Sequence, residues 1–339
     1  MTILTVIVPA YNSESTLHRC LDSLVCDSLH DSLQVIVVND GSTDRTLEIA
    51  TQYSHKYPHV QVLNKANGGH GSTINQGVIQ ASGAYFKVLD SDDLFNTQDL
   101  QALIEELRSK QADVILTNFR TIDPLNRLLQ KFELQGVRYG ELYNFDDFWQ
   151  TCCNTKEMCA FHSITYRTAF YRNCDIMLSE GISYEDQEFS TIPFKYSPSV
   201  LPLDLWIYEY TLGYENQSMS PDNQVRKINE LEHVFWTIQK SAITFENRFV
   251  AAYFKQKLGE LLIVYYMTAL LKNPDKKQGR QLTRQLRKKL EKEAPALLIA
   301  SNKSYRLFYL VSLANIQFSS LIAFQNNRSY KKIGRFIRT

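Results

Sequence analysis

Short apolar runs rich in β-branched residues alternate with stretches of helical spacing through the first 120 residues, and three of the five runs break off at a polar cluster. Leu4-Thr5-Val6-Ile7-Val8 stops at Pro9 and is followed by Asn12. Leu33-Gln34-Val35-Ile36-Val37-Val38 stops at Asn39-Asp40-Gly41, and Tyr85-Phe86-Lys87-Val88-Leu89 stops at Asp90 to Asp93. Val60 to Leu63 and Asp113 to Thr117 complete five predicted strands. Between them the spacing predicts helices over 13–24, 43–57, 72–80 and 97–108. The first has Leu17, Leu21 and Leu24 on one face and Ser13 or Ser15 as its cap. Strands of about five residues joined by helices imply an α/β fold, with a mostly parallel sheet flanked by helices on both faces. Ligands of such sheets bind beyond the carboxyl ends of the strands, which is where the polar clusters fall.

Residues 121–224 are less regular and rich in aromatics. Tyr139, Tyr143, Phe145, Phe148, Trp149, Phe161, Tyr166, Phe170 and Tyr171 are expected mainly to build core. From Val225 to the end the spacing is helical. The net charge of +1 points to no particular partner, and nucleic acid is not expected. The charge is segregated, however. Residues 272–339 hold sixteen Lys or Arg against three Asp or Glu, a net of +13 that leaves −12 for the rest of the chain. The plain reading is a solvated helical face; the sharper one is a surface for anionic phospholipid or a phosphate-bearing acceptor.

Leu307 to Phe324 has no charge over eighteen positions, the short limit for a membrane span, but includes Ser312, Asn315, Gln317, Ser319 and Ser320. A buried helix ranks first there, an interfacial helix next and a true span last. Lys331, Lys332, Arg335 and Arg338, interleaved with Ile333, Phe336 and Ile337, suit a membrane surface. The six cysteines form no Cys-x-x-Cys pair, Cys152–Cys153 reads as packing, and the N-terminus has no cationic leader. No structural metal site is expected, and a cytoplasmic protein with reduced thiols is, peripheral to the inner face of the cell membrane at most.

Four motifs carry the chemistry. In order they are Val8-Pro9-Ala10-Tyr11-Asn12, Val38-Asn39-Asp40-Gly41-Ser42-Thr43-Asp44, Asn67-Gly68-Gly69 with Asn75-Gln76-Gly77, and Leu89-Asp90-Ser91-Asp92-Asp93. On an extended segment Asp90 and Asp92 point the same way. Two hard carboxylates then face one spot, where a divalent cation could bridge a diphosphate and take up its developing charge. A turn that caps the next helix needs one Asp, so three acids in four residues favour the cation. The glycine-rich stretch from Asn64 to Gly71 lets a backbone approach a nucleotide closely, yet lacks both the ATPase phosphate-loop and dinucleotide-fold patterns. His70 within it reads as a hydrogen-bonding loop residue rather than a base.

In register, these motifs resemble the family 2 glycosyltransferases, well over about the first 120 residues and more weakly to about residue 220. The resemblance implies a GT-A fold, with a catalytic domain for nucleotide-sugar and acceptor over 1–224, and the helical spacing beyond it implies a basic α-helical domain over 225–339. It implies a nucleotide-sugar site of Pro9, Tyr11, Asn12, Glu14, Asp40, Asn67, Gly68, Asn75, Asp90, Ser91, Asp92 and Asp93. Within it Asp40 would accept from the imide N–H of a uracil or thymine, and Tyr11 would pack on the base. Asp92 would ligate Mg or Mn, with Asp90 nearer the ribose and phosphate and Asp93 on the sugar or acceptor side. Ile74 stands where the family often has Arg, so Lys65 or Lys87 is offered as the cationic diphosphate contact.

Further along, Tyr184-Glu185-Asp186-Gln187-Glu188-Phe189 resembles the family's Glu-Asp motif, with Asp186 as catalytic base and Glu185 supporting it. The alternative there is a helix start whose acids suit the helix dipole. Tyr208-Glu209-Tyr210 and the stretch from Asn216 to Ser220 resemble a segment that closes over the diphosphate or acceptor. The Gln-x-x-Arg-Trp motif of processive synthases is absent. The implied reaction is inverting, single-displacement transfer of one sugar, from a UDP-sugar before other donors, with the acceptor proton removed in the transition state. The implied acceptor is a glycan, polyol or lipid-linked hydroxyl in bacterial cell-surface polysaccharide, teichoic acid or lipid-linked glycan assembly. Two rivals stand beside it: a nucleotidyltransferase, whose early Arg/Lys-bearing phosphate loop is missing from residues 1–12, and a non-catalytic membrane- or partner-binding protein with a vestigial sugar site.

Overall fold

The five predicted strands all form, and the four helices between them form with shifted ends. In chain order they are β1 (Leu4–Ala10), α1 (Leu17–Asp22), β2 (Leu33–Asp40), α2 (Thr46–Lys56), β3 (Val60–Lys65), α3 (His70–Gln80), β4 (Tyr85–Val88), the two-residue β5 (Leu94–Phe95), α4 (Thr97–Ser109) and β6 (Val114–Ile122). The predicted Ser13 or Ser15 cap of α1 is not made: the helix begins after Thr16 without a side-chain cap, and the Ser13 N–H donates instead to the Thr46 hydroxyl at 2.7 Å. The aromatic-rich stretch then contributes β7 (Leu128–Phe132), α5 (Phe145–Cys152), a 3-10 turn at Phe161–Ser163, β8 (Ile164–Arg167), α6 (Thr168–Asn173), α7 (Glu185–Phe189), a second 3-10 turn at Ile192–Tyr196 and β9 (Val200–Thr211).

This computed structural model describes residues 2–26, 29, 31–152, 159–213, 220–242 and 247–314. Their strands form one sheet in the order β3-β2-β1-β4-β8-β6-β9-β5, with β7 also beside β6. The sheet is mixed. β3, β2, β1 and β4 run parallel, as do β6 and β9, but β8 enters antiparallel between β4 and β6, and β5 and β7 are antiparallel to their neighbours. The parallel order expected from the sequence holds through β3, β2, β1 and β4 and again between β6 and β9, and the antiparallel β8 between these groups makes the sheet mixed. Two of the three strands that change its character, β7 and β8, come from the stretch where the sequence has no clear period. β1 and β2 are buried along their whole length, as strands covered on both faces must be.

The chain divides into two compact units, one over Met1–Glu215 with Thr244–Val250, the other over Asn216–Ile243 and Ala251–Thr339. The helices from residue 220 onward are α8 (Pro221–Arg226), α9 (Ile228–Ser241), α10 (Arg248–Met267, continued by a π-turn over Thr268–Lys272), α11 (Lys276–Glu293) and α12 (Pro295–Leu313). Among the described residues no helix is long and apolar enough to cross a membrane. The described part of the charge-free stretch lies on α12. There Phe308 and Ser312 are buried while Leu307, Leu310 and Leu313 are exposed, so this part is amphipathic rather than enclosed. Residues 315–339, with Lys331, Lys332, Arg335 and Arg338, lie outside the described residues, as do Cys153 and Asn216 to Met219.

Candidate active site

The loops at the carboxyl ends of β1 and β2 are tied to each other. Asn12, in the left-handed region at φ 49°, donates its N–H to the Ser42 hydroxyl, and its side-chain oxygen accepts from the Thr43 N–H at 2.9 Å. Glu14 accepts from the Arg45 N–H at 3.1 Å. The neighbouring Ser13 hydroxyl meets that of Ser91 at 2.7 Å, which links the first loop to the acidic one. Pro9 is buried in β1, and Tyr11 is exposed at the rim.

Asp40 is 2% exposed, and its carboxylate is already engaged. It accepts from the Gly68 N–H at 2.9 Å, the Gly69 N–H at 2.8 Å and the Lys65 ammonium at 2.7 Å, while the Asn67 amide donates to its backbone carbonyl. Three of the roughly four acceptor positions of a carboxylate are thereby filled. Asp40 anchors the 65–69 loop, where the sequence offered it to a base. Lys65 is held there as well, by Asp40, the Ala66 carbonyl and the Ser72 hydroxyl. Lys87 is fully buried and donates to the carbonyls of His162 and Ile164 at 2.8 and 3.0 Å, with its ammonium pushed down to about 7 by burial. Neither lysine is free for a diphosphate. Asn75 is turned inward too, paired with both backbone groups of Leu178 and with Glu180.

α3 brings the acidic groups together. Its first residue, His70, lies between two of them: Nδ1 is 2.6 Å from Glu185 Oε1 and Nε2 is 2.9 Å from Asp90 Oδ1. Burial disfavours the charged ring, but Asp90 and Glu185 outweigh it and raise His70 well above the usual imidazole range. His70 is hydrogen-bonded, as read from the sequence, but it opens α3 rather than lying in a loop, and its partners are the site's own acids. Close approach of the 178–181 segment makes this possible. Gly181 donates to the Gly68 carbonyl at 2.6 Å, and a Cβ on Gly71 would lie 2.3 Å from the Ser179 carbonyl.

α7 is seated by aromatic packing. Phe189 meets Tyr166 and Phe161 at centroid distances of 5.0 and 5.2 Å, and the Tyr166 hydroxyl donates to the Phe189 carbonyl. Glu188 accepts from the N–H and hydroxyl of Ser179. Tyr184, just ahead of the helix, sits at φ 72°, a conformation that costs a non-glycine residue on the order of 1–3 kcal/mol and aims the two acids that follow. Glu185 is buried, and among the described residues its Oε2 has no hydrogen-bond partner. Asp186 is held by the Gln187 amide at 2.8 Å, and its carboxyl is pushed up to about 6 by burial and by Glu185.

The acidic loop after β4 departs from the expected ligand set. Among the described residues, one group offers metal-ligand atoms that converge: Asp90, Asp93 and His162, within 4.8 Å of one another. Asp92, the ligand implied by the sequence, is not in it; burial and Asp90 push its carboxyl up to about 6. Asp93 is buried against β9, accepting from the Tyr208 hydroxyl and the Thr211 N–H at 2.7 Å each, and burial beside Asp92 and Asp90 raises it well above the carboxylate range. His162 had no motif to mark it. It is packed among Phe119, Phe161, Tyr208 and Tyr210, and burial pushes it down to about 4, so its ring is neutral and able to ligate. Two carboxylates and a neutral imidazole are a donor set that suits a divalent ion, and closely spaced acids have reason to take one up.

A glycosyl transferase family 2 model matches residues 5–170, the segment that supplies the first loop, Asp40, the 65–69 loop, the acidic loop and His162. This segment, about half of the chain, is a family 2 glycosyltransferase domain. The match sets it apart from the nucleotidyltransferase rival. The uncharacterized glycosyltransferase EpsJ of Bacillus subtilis is 29% identical over 61% of this chain and 60% of its own length. The poly(ribitol-phosphate) beta-glucosyltransferase of Bacillus spizizenii is 33% identical over 35% of this chain and 19% of its own. The chain thus spans less than two thirds of these family relatives. The structure of S. aureus TarS 1-349 in complex with UDP-GlcNAc superposes with a TM-score of 0.65 at 21% identity, covering 92% of this chain and 90% of that one. At that identity the likeness is one of fold, the GT-A architecture of a family 2 member carrying a helical C-terminal region.

Proposed function

We propose that this protein transfers a single sugar, with inversion, from a UDP-sugar to an acceptor hydroxyl in bacterial cell-surface glycan assembly, and that it needs a divalent cation to do so. The observation that carries the reading is the convergence of the acidic loop, Glu185 and Asp186, joined through His70. Such a cluster of acids repels a diphosphate unless a cation stands between them. Asp90, Asp93 and His162 would hold that cation, manganese in preference to magnesium because one donor is an imidazole nitrogen. Bound there, it would offset the charge that develops on the leaving diphosphate. Asp92 would face the ribose and diphosphate.

The loops around Tyr11, Asn12, Asp40, Asn67 and Gly68 form the wall that receives the nucleotide, with Asp40 as anchor of the 65–69 loop. Asp186 takes the proton of the acceptor hydroxyl as it attacks the anomeric carbon, and Glu185, with its unpartnered Oε2, orients that hydroxyl. The UDP donor and the glycan or polyol acceptor draw support from the UDP-GlcNAc complex of the TarS neighbour and from the ribitol-phosphate relative. On this reading the enzyme works at the cytoplasmic face of a cell membrane without spanning it. A panel of nucleotide-sugars, scored for manganese-dependent release of UDP, GDP or TDP, tests the proposal. UDP release is expected, and release of pyrophosphate from a nucleoside triphosphate, or no turnover of any donor, overturns it.

A further inference from the structure

The second unit carries a surface made of two unlike stripes. On α11, Lys277, Arg284, Lys288 and Lys292 are exposed at successive spacings of seven, four and four residues, so they share one face of the helix. The helix as a whole holds eight Lys or Arg against two acids, Glu291 and Glu293, both at its C-terminal end. On α12, Leu297, Ser301, Phe308 and Ser312 face inward. Along the opposite face run Ile299, Lys303, Arg306, Leu310 and Leu313, three or four residues apart. Ile299 is 71%, Leu310 65% and Leu313 56% exposed, an unusual amount of branched aliphatic surface to leave in water along one stripe.

Polar contacts between the helices fix how the stripes lie. Arg280 donates to the Ser312 carbonyl at 3.1 Å, Arg284 to the Tyr309 hydroxyl at 2.8 Å and Arg287 to the Asn302 amide oxygen at 2.5 Å, so α11 and α12 run antiparallel. The Arg287 guanidinium also stacks on Tyr305 at 3.9 Å. Arg284 belongs to the basic stripe, and Tyr309 is the neighbour of Leu310. Their exposed hydrogen bond is therefore a seam with the cations on one side and the leucines on the other.

We propose that this face docks on an anionic phospholipid bilayer, with the α11 cations against lipid phosphates and Ile299, Leu310 and Leu313 in the interfacial layer. Charge complementarity selects an anionic partner, and the exposed aliphatic stripe selects a bilayer over a soluble polyanion, which would need the bases alone. The inference takes up the membrane side of the proposed function and is independent of the sugar-transfer chemistry.

Flotation of the full chain with phosphatidylcholine vesicles, with and without phosphatidylglycerol, tests it. The wild type should float with the phosphatidylglycerol vesicles only and lose part of that binding as salt rises. Each surface cation contributes about fivefold to partitioning, so the variant carrying Lys277→Gln, Arg284→Gln, Lys288→Gln and Lys292→Gln should lose at least roughly a hundredfold. Leu310→Ser with Leu313→Ser, both at exposed positions, should also weaken flotation while leaving manganese-dependent UDP release unchanged. Three outcomes overturn the proposal: flotation of both variants at the wild-type level, equal binding to charged and neutral vesicles, or capture by soluble polyphosphate that the leucine variant leaves intact without any vesicle binding.

Discussion

At the scale of single residues, the site separates what a motif can mark from what only the fold can assemble. Asp186→Asn keeps the shape of the proposed base and removes its basicity, so transfer should fall by roughly 10²–10⁴-fold while donor binding is retained. Turnover at the wild-type rate would remove Asp186 from that role. Its carboxyl is pushed up to about 6 by burial and Glu185, with Asp90 adding to the shift and Gln187 and His70 opposing it. A base must be deprotonated to act, so kcat/KM should climb as pH rises through about 6 and level off above. A profile flat from pH 5 to 8 would contradict the assignment.

The cation set gives a sharper contest. His162→Ala should lower manganese-dependent thermal stabilisation by UDP more than Asp92→Ala does, because His162 belongs to the convergent ligand atoms and Asp92 does not. If Asp92→Ala abolishes the shift and His162→Ala leaves it intact, the ligand read from the sequence is restored. Asp90 to Asp93 stood out because three acids in four residues after an apolar strand exceed what a helix cap needs, and Glu185–Asp186 stood out only through their resemblance to the family's Glu-Asp motif. His162 did not, since a lone histidine among Phe161, Tyr208 and Tyr210 reads like any core residue until β9 folds back beside β6. The lysine in the middle of Tyr85-Phe86-Lys87-Val88-Leu89 was a signal of a different kind: a charge inside a buried strand means a built-in partner, here two backbone carbonyls.

Among the elements, β1 to β4 could be read from periodicity because parallel strands buried on both faces are short apolar runs with sharp ends. β8 and β9 could not. Ile164–Arg167 is four residues long, and Val200–Thr211 carries Asp204 and Glu209 within an otherwise apolar run. Their placement depends on side-chain ties made only in the folded state. Asp113, just ahead of β6, accepts from the N–H and hydroxyl of Ser199 at 2.9 and 2.8 Å and pairs with Arg167, fastening the starts of β6 and β9 to the end of β8. Burial would raise this carboxyl, but the Ser199 and Arg167 donors outweigh it and hold it below the usual range. Its contribution to stability is therefore full at neutral pH and is lost as the pH falls through that lowered pKa. Asp113→Ala should cost about 1–3 kcal/mol in urea denaturation at pH 7, and less in acid. An unchanged midpoint at pH 7 would show that the tie is incidental.

For the molecule as a whole, the division of charge visible in the sequence corresponds to a division of structure. The acidic cluster belongs to the unit built on the sheet, and the basic stripe belongs to the unit built from helices. The Asp40–Lys65 pair and the buried Lys87 extend this separation into the site itself, because the lysines that could have met a nucleotide are spent on holding loops and strands in place. On the function proposed above, a protein arranged this way has little intrinsic appetite for free UDP-sugar, however abundant. Occupancy would follow the supply of divalent ion, so that glycan output slows when the cell runs short of manganese even with its stock of sugar nucleotides intact.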